Sequence, residues 1–166
     1  MIMAQSYSQW LDTVQTYLRD ELGIDSGFAG HCATMLAYFF EYSLNPVVTS
    51  GYRTAEKQAQ LSTAYQRGQA GVVAKPAVNS LHCKTNWLGK PAARAIDIST
   101  RNPALAAEIA AALGIGAGFY FRIPDPVHFY DISQPEPGLF TTIAKTIGQS
   151  LWEEGKANLE LIARVF

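Results

Sequence analysis

Trp10, Leu11, Val14, Tyr17, Leu18 and Leu22 recur at intervals of three and four residues, the spacing of one helix face, and Gly23 stands where that helix would end. A second run, about 28–43, carries Ala29, Ala33, Leu36, Phe39 and Phe40. It is apolar on more than one side, which predicts a buried helix stopped by Asn45-Pro46. The period then shortens. Val47-Val48-Thr49-Ser50 is a β-branched run suited to a strand. Thr54 is placed to cap a helix over about 55–66, broken by Gly68 and Gly71. A loop leads into the strand-like Val78-Asn79-Ser80-Leu81-His82, and Ala95-Ile96-Asp97-Ile98 alternates as a strand does.

Asn102 followed by Pro103 is a cap with proline at the first helical position. Leu105, Ile109, Ala112 and Leu113 supply that helix's buried face, and Gly114 closes it. Tyr120-Phe121-Arg122 and Val127-His128-Phe129-Tyr130 read as two further strands around Pro124-Asp125-Pro126. Residues 134–138 form a stiff polar link, and a last helix is expected at about 157–163. Helices and short strands without strict alternation indicate an α+β fold: a small antiparallel sheet with helices packed on it and extra helices at the N-terminus. The expected organisation is one domain over 1–166, with an N-terminal helical part (1–45), a core (46–133) and a C-terminal extension (134–166).

Composition narrows the function. The chain has 166 residues, 48% of them hydrophobic, enough for one compact core. Thirteen basic and 14 acidic residues leave a net charge of −1, which lacks the basic excess of a nucleic-acid binder. No run reaches the length of a membrane helix, so no membrane insertion is expected. Met1 to Trp10 carries no basic residue and no long apolar run, so a chain made in the cytoplasm without a Sec signal is expected. Cys32 and Cys83 are too few for a disulfide scaffold.

Three histidines are present: His31, His82 and His128. His31, inside an apolar helix beside Cys32, reads as structural. Asp97 lies at the centre of an apolar strand, where a lone carboxylate is expensive unless something pairs with it. A divalent cation would resolve that cost. Two imidazoles and a carboxylate, here His82, His128 and Asp97, are a common ligand set for catalytic zinc, with the fourth position left to water. Such a site also needs a general base that is not a ligand. Asp125, three residues before His128, is the candidate, although between two prolines it also reads as a plain turn residue. Arg53 could offer a fixed positive charge to a substrate carboxylate or to an oxyanion. Cys83 adjoins His82, but neighbouring strand residues face opposite ways, which argues against it as a ligand. Tyr52 and Tyr130 flank these positions as hydrogen-bond donors to substrate or as packing residues. Trp87 reads as a loop anchor or a stacking residue.

Ser50-Gly51-Tyr52-Arg53-Thr54, Ser80-Leu81-His82, Ala95-Ile96-Asp97 and Asp125-Pro126-Val127-His128 resemble, in order, the signature blocks of the M15 zinc peptidases. This is the D-alanyl-D-alanine carboxypeptidase and L-alanyl-D-glutamate endopeptidase group. Its fold is shared with the Hedgehog signalling domain, and several bacteriophage endolysins belong to it. The resemblance implies a Hedgehog/DD-peptidase-like fold, zinc held by His82, Asp97 and His128, and Asp125 as catalytic base. It further implies that Arg53 and Ser80 contact substrate or support the site. The substrate implied is the peptidoglycan stem peptide, cut at the cell wall, with delivery by phage lysis or in a virion. The other reading it leaves is a non-catalytic cell-wall-binding or virion structural module. One departure is plain: 14 residues, 83–96, separate His82 from Asp97, where the family has a short spacing. Such an insertion can be absorbed as a hairpin loop.

Overall fold

A computed structural model describes residues 7–69 and 79–133. Among the described residues, four helices and four short strands alternate irregularly: α1 (Tyr7–Asp20), α2 (Ser26–Glu41), β1 (Val47–Ser50), α3 (Ala55–Gln66), β2 (Ala95–Ser99), α4 (Pro103–Ala112), β3 (Ile115–Ala117) and β4 (His128–Asp131). The strands form one antiparallel sheet in the order β1-β2-β4-β3, flanked by helices, so the α+β class is observed. No helix among the described residues is long and apolar enough to cross a membrane.

Local chemistry sets the helix limits. The Asp25 carboxylate accepts from the Gly27 and Phe28 amides and starts α2 two residues before its first apolar side chain. Ser43 and Asn45 adopt positive φ, so α2 stops short of the proline that was expected to stop it. Thr54 caps α3 by accepting from the Lys57 amide, and Asn102 caps α4 by accepting from the Leu105 amide, with Pro103 as its first residue.

Strand alternation divides the sheet into two faces. Ile96, Ile98 and Phe129 point to one side, where they pack with Phe28, Met35 and Phe39 of α2 and the alanines 106, 107 and 110 of α4. Phe39 meets Phe129 at a ring separation of 5.6 Å. Asp97 and His128 point to the other side. They are paired directly across β2 and β4, and Ala95 and Tyr130 form the next pair on that face.

Three expectations are corrected. Tyr120-Phe121-Arg122 is not a strand. Residues Gly118–Tyr120 form a 3-10 turn, and the adjoining strand is β3, ending at Ala117. The reason is that the chain folds back on itself here: Gly118 accepts from the amides of Phe121 and Asp125, and a Cβ on Gly118 would lie 2.6 Å from the Asp125 carbonyl. His82 lies in a second 3-10 turn, Leu81–Cys83, not in a strand. His31 is exposed rather than enclosed in α2.

The 83–94 segment is a compact hairpin. Thr85 bridges Pro91, the Asn86 amide donates to the Lys90 carbonyl, and the Asn86 side chain accepts from the amides of Leu88 and Lys90. Its tip carries Trp87, which is 90% exposed and therefore anchors nothing. Both cysteines are free thiols, and burial raises the pKa of each. The expected link at 134–138, the C-terminal extension and the helix at 157–163 lie outside the described residues.

Candidate metal centre

Three atoms from three parts of the chain meet in a near-equilateral triangle. His82 Nε2 lies 3.2 Å from His128 Nδ1 and 3.2 Å from Asp97 Oδ1, and His128 Nδ1 lies 3.1 Å from that same oxygen. The three residues are buried. Asp97 and His128 meet because antiparallel register sets them opposite each other, where side chains on one face lie about 5 Å apart at Cβ. His82 is delivered by its 3-10 turn, which is tied at both sides. Its own carbonyl accepts from the Arg53 amide, and the Leu81 carbonyl accepts from the Arg94 amide just before β2.

The donor chemistry fits a metal ion. His82 Nδ1 donates to the Gly51 carbonyl at 2.7 Å, so in the neutral ring Nε2 presents a bare lone pair to the triangle. Asp97 Oδ1 is likewise an acceptor. Lone pairs held this close repel unless a proton or a cation lies among them. A tetrahedral zinc site with bonds of about 2.0–2.1 Å has neighbouring ligand atoms roughly 3.3 Å apart, close to the edges seen here. Histidine, aspartate and histidine in this arrangement can therefore hold a divalent ion.

Burial opposes the charge on Asp97, but its interactions with His128 and His82 outweigh that cost and hold the carboxyl well below the usual range. Its other oxygen, Oδ2, accepts from Arg53 Nη2. The same guanidinium donates to Ser50 Oγ at 2.8 Å and to Gln58 Oε1 at 3.4 Å.

Asp125 approaches through a turn, not along a strand. Its carbonyl accepts from the His128 amide at 3.1 Å, which bends the chain at Pro126 and removes the face problem that an extended segment would pose. Burial raises the Asp125 pKa. The charge of His128 lowers it, Asp97 raises it, and Arg53 and His82 lower it, so the carboxylate sits in the field of the whole cluster.

Tyr130 stacks on His128 at 5.8 Å and 26°, and Phe121 packs 5.6 Å from Tyr130 and 5.9 Å from His128. Together they wall one side of the site. Gly116, opposite Tyr130 in β3, makes room for that ring. Tyr52 packs against the core, its amide donating to the Leu22 carbonyl. Ser80 is buried at the head of the 3-10 turn beside the Cys83 thiol. The Cys83 thiol approaches the Thr54 carbonyl, away from the triangle.

Sequence reasoning missed three participants. The Gly51 carbonyl that orients His82 carries no side-chain signal. Gln58 looks like any polar residue of an exposed helix, yet it is 2% exposed. Phe121 was placed on a strand. No protein-family model matches the chain, and no curated protein matches it in sequence.

Proposed function

We propose that the chain is a zinc-dependent peptidase that hydrolyses a peptide bond in the peptidoglycan stem, on the fold shared by the M15 peptidases and the Hedgehog signalling domain. The observation that carries this reading is the buried triangle of His82 Nε2, His128 Nδ1 and Asp97 Oδ1 with edges of 3.1–3.2 Å. The order of the four motif blocks along the chain supports it.

His82, Asp97 and His128 would hold the ion, and zinc there would supply a Lewis acid and lower the pKa of water towards about 7. Asp125 acts as general base and then general acid at its carboxylate, taking a proton and returning it to the leaving amine. The turn to His128 holds it within the electrostatic reach of all three ligand residues. Phe121 and Tyr130 exclude water from one flank. The place of action is the cell wall, reached by phage delivery.

The competing reading is a non-catalytic wall-binding or virion module that keeps its metal. The exposed Trp87 and Leu88 at the hairpin tip favour it, since apolar side chains held out on an ordered turn suit a binding surface.

Mass spectrometry of purified peptidoglycan after digestion separates the two and also locates the bond cut. The wild type is expected to release new amino groups. Asp125→Ala is expected to fold, hold zinc and lose about 100-fold or more of that release. Equal activity in the two proteins would remove Asp125 as the base. Absence of release by wild type on every stem-peptide chemistry would favour the binding module.

A further inference from the structure

The two oxygens of Asp97 are used differently. Oδ1 lies with the imidazole nitrogens, 3.1 Å from His128 Nδ1 and 3.2 Å from His82 Nε2. Oδ2 is held by Arg53 Nη2. The guanidinium that makes this contact is itself fixed at two further points: Nε on Ser50 Oγ at 2.8 Å, and Nη1 on Gln58 Oε1 at 3.4 Å. A guanidinium is a planar, rigid fork, so holding two of its corners determines where the third points. Ser50 ends β1 in register with Asp97, and Gln58 lies one turn into α3 behind its Thr54 cap. The anchors therefore belong to two different elements that converge on one side chain. The Arg53 and Asp97 side chains are 17% and 10% exposed, so water competes little for this pair.

We propose that Ser50 and Gln58 are positioning residues of the metal centre. By anchoring Arg53 against Asp97 Oδ2, they restrict Asp97 to one coordinating oxygen and keep the ion's remaining position for water. This rests on reading the triangle as a zinc centre. A carboxylate free at both oxygens can chelate through both, which crowds the position a nucleophilic water needs. Arg53 engages Oδ2 and so sets the denticity of the ligand. Gln58 is itself 2% exposed, so its contact with Arg53 is sheltered from water. Hydrogen-bond partners of metal ligands typically change affinity by about 10–100-fold.

The test uses the full chain with zinc and with cobalt as a spectroscopic substitute. Gln58→Leu and Ser50→Ala each remove one anchor, and Gln58→Glu keeps an acceptor oxygen at similar reach. Zinc affinity is read by competition with a chelating dye, coordination by the visible cobalt spectrum, and folding by thermal melting of the metal-free proteins. Gln58→Leu and Ser50→Ala are expected to weaken zinc about tenfold or more and to reduce the intense absorption of four-coordinate cobalt. Gln58→Glu is expected to stay close to wild type in both. If Gln58→Leu does not fold, Ser50→Ala and Gln58→Glu carry the comparison. Folded variants with wild-type zinc affinity and an unchanged cobalt spectrum would overturn the positioning role and leave the centre standing. A wild type that binds neither metal would overturn the centre and this proposal with it.

Discussion

Gly51 does two jobs that no other residue could combine. A Cβ there would lie 2.4 Å from the Leu22 carbonyl oxygen, a backbone atom that cannot turn aside, and 2.9 Å from the Leu22 Cβ. Its own carbonyl orients His82. Gly51→Ala is therefore expected to destabilise the protein by about 1–3 kcal/mol through overpacking and, by shifting that carbonyl, to weaken zinc binding. Urea denaturation and metal titration measure the two effects separately. A loss of stability with zinc affinity intact would show that the carbonyl does not hold the ring. Gly116 makes the contrasting case. A Cβ there would meet the Tyr130 ring at 2.3 Å, and a ring at the end of a side chain can move. Gly116→Ala is expected to cost about 1 kcal/mol and to disturb the stack on His128, visible as a change in tyrosine near-ultraviolet dichroism. In the sequence both glycines look like ordinary turn or strand punctuation, because the atoms that forbid a side chain come from distant segments.

Helix caps show how an element's own stability connects to the site. Thr54 and Asn102 cap α3 and α4 with equivalent bonds of 3.2 Å to the third helical amide. Thr54→Ala and Asn102→Ala should each cost about 1 kcal/mol in chemical denaturation. Only α3 carries Gln58, whereas α4 packs into the core on the opposite face of the sheet. Thr54→Ala alone is thus expected to lower zinc affinity, and equal effects of the two variants would break the link between α3 and the centre. These caps were legible before the structure because their chemistry is local: a side-chain oxygen, three residues, one amide. The pairing of Asp97 with His128 was legible only as a demand. The cost of burying Asp97 called for a partner, and the resemblance implied two imidazoles, but the β2–β4 register that brings Asp97 and His128 together is a long-range choice. The strand expected at Tyr120-Phe121-Arg122 failed for a related reason. Aromatic residues favour strands on average, yet the close approach of Gly118 to Asp125 imposes a turn that propensity does not encode. The hairpin at 83–94 was anticipated as an absorbed insertion, and Asn86 supplies the hydrogen bonds that make it compact.

The molecule separates its stability from its chemistry across a single sheet. One face holds the apolar core of α2, α4 and the inward strand residues, and the other holds the triangle, the Arg53 anchor and the aromatic wall. The core does not include the ligands, so the metal-free protein should still fold. Yet the ligand atoms join segments 31 and 46 residues apart, so an ion bound there ties β2, β4 and the 3-10 turn together in the native state only. Binding to the native state alone adds about 2.7 kcal/mol when free zinc is 100 times its dissociation constant. For a protein of this size that corresponds to a rise in melting temperature of roughly 5–11 °C. Scanning calorimetry of chelator-treated protein, with and without added zinc, is expected to show one cooperative transition that moves by this amount. Magnesium should not move it, because two imidazoles favour zinc over a hard, oxygen-seeking ion. His128→Ala removes one of three ligands from the non-core face, so it should abolish the zinc-dependent shift while retaining a cooperative metal-free transition. A zinc shift that survives His128→Ala would mean the ion binds elsewhere, and the catalytic reading would lose its centre.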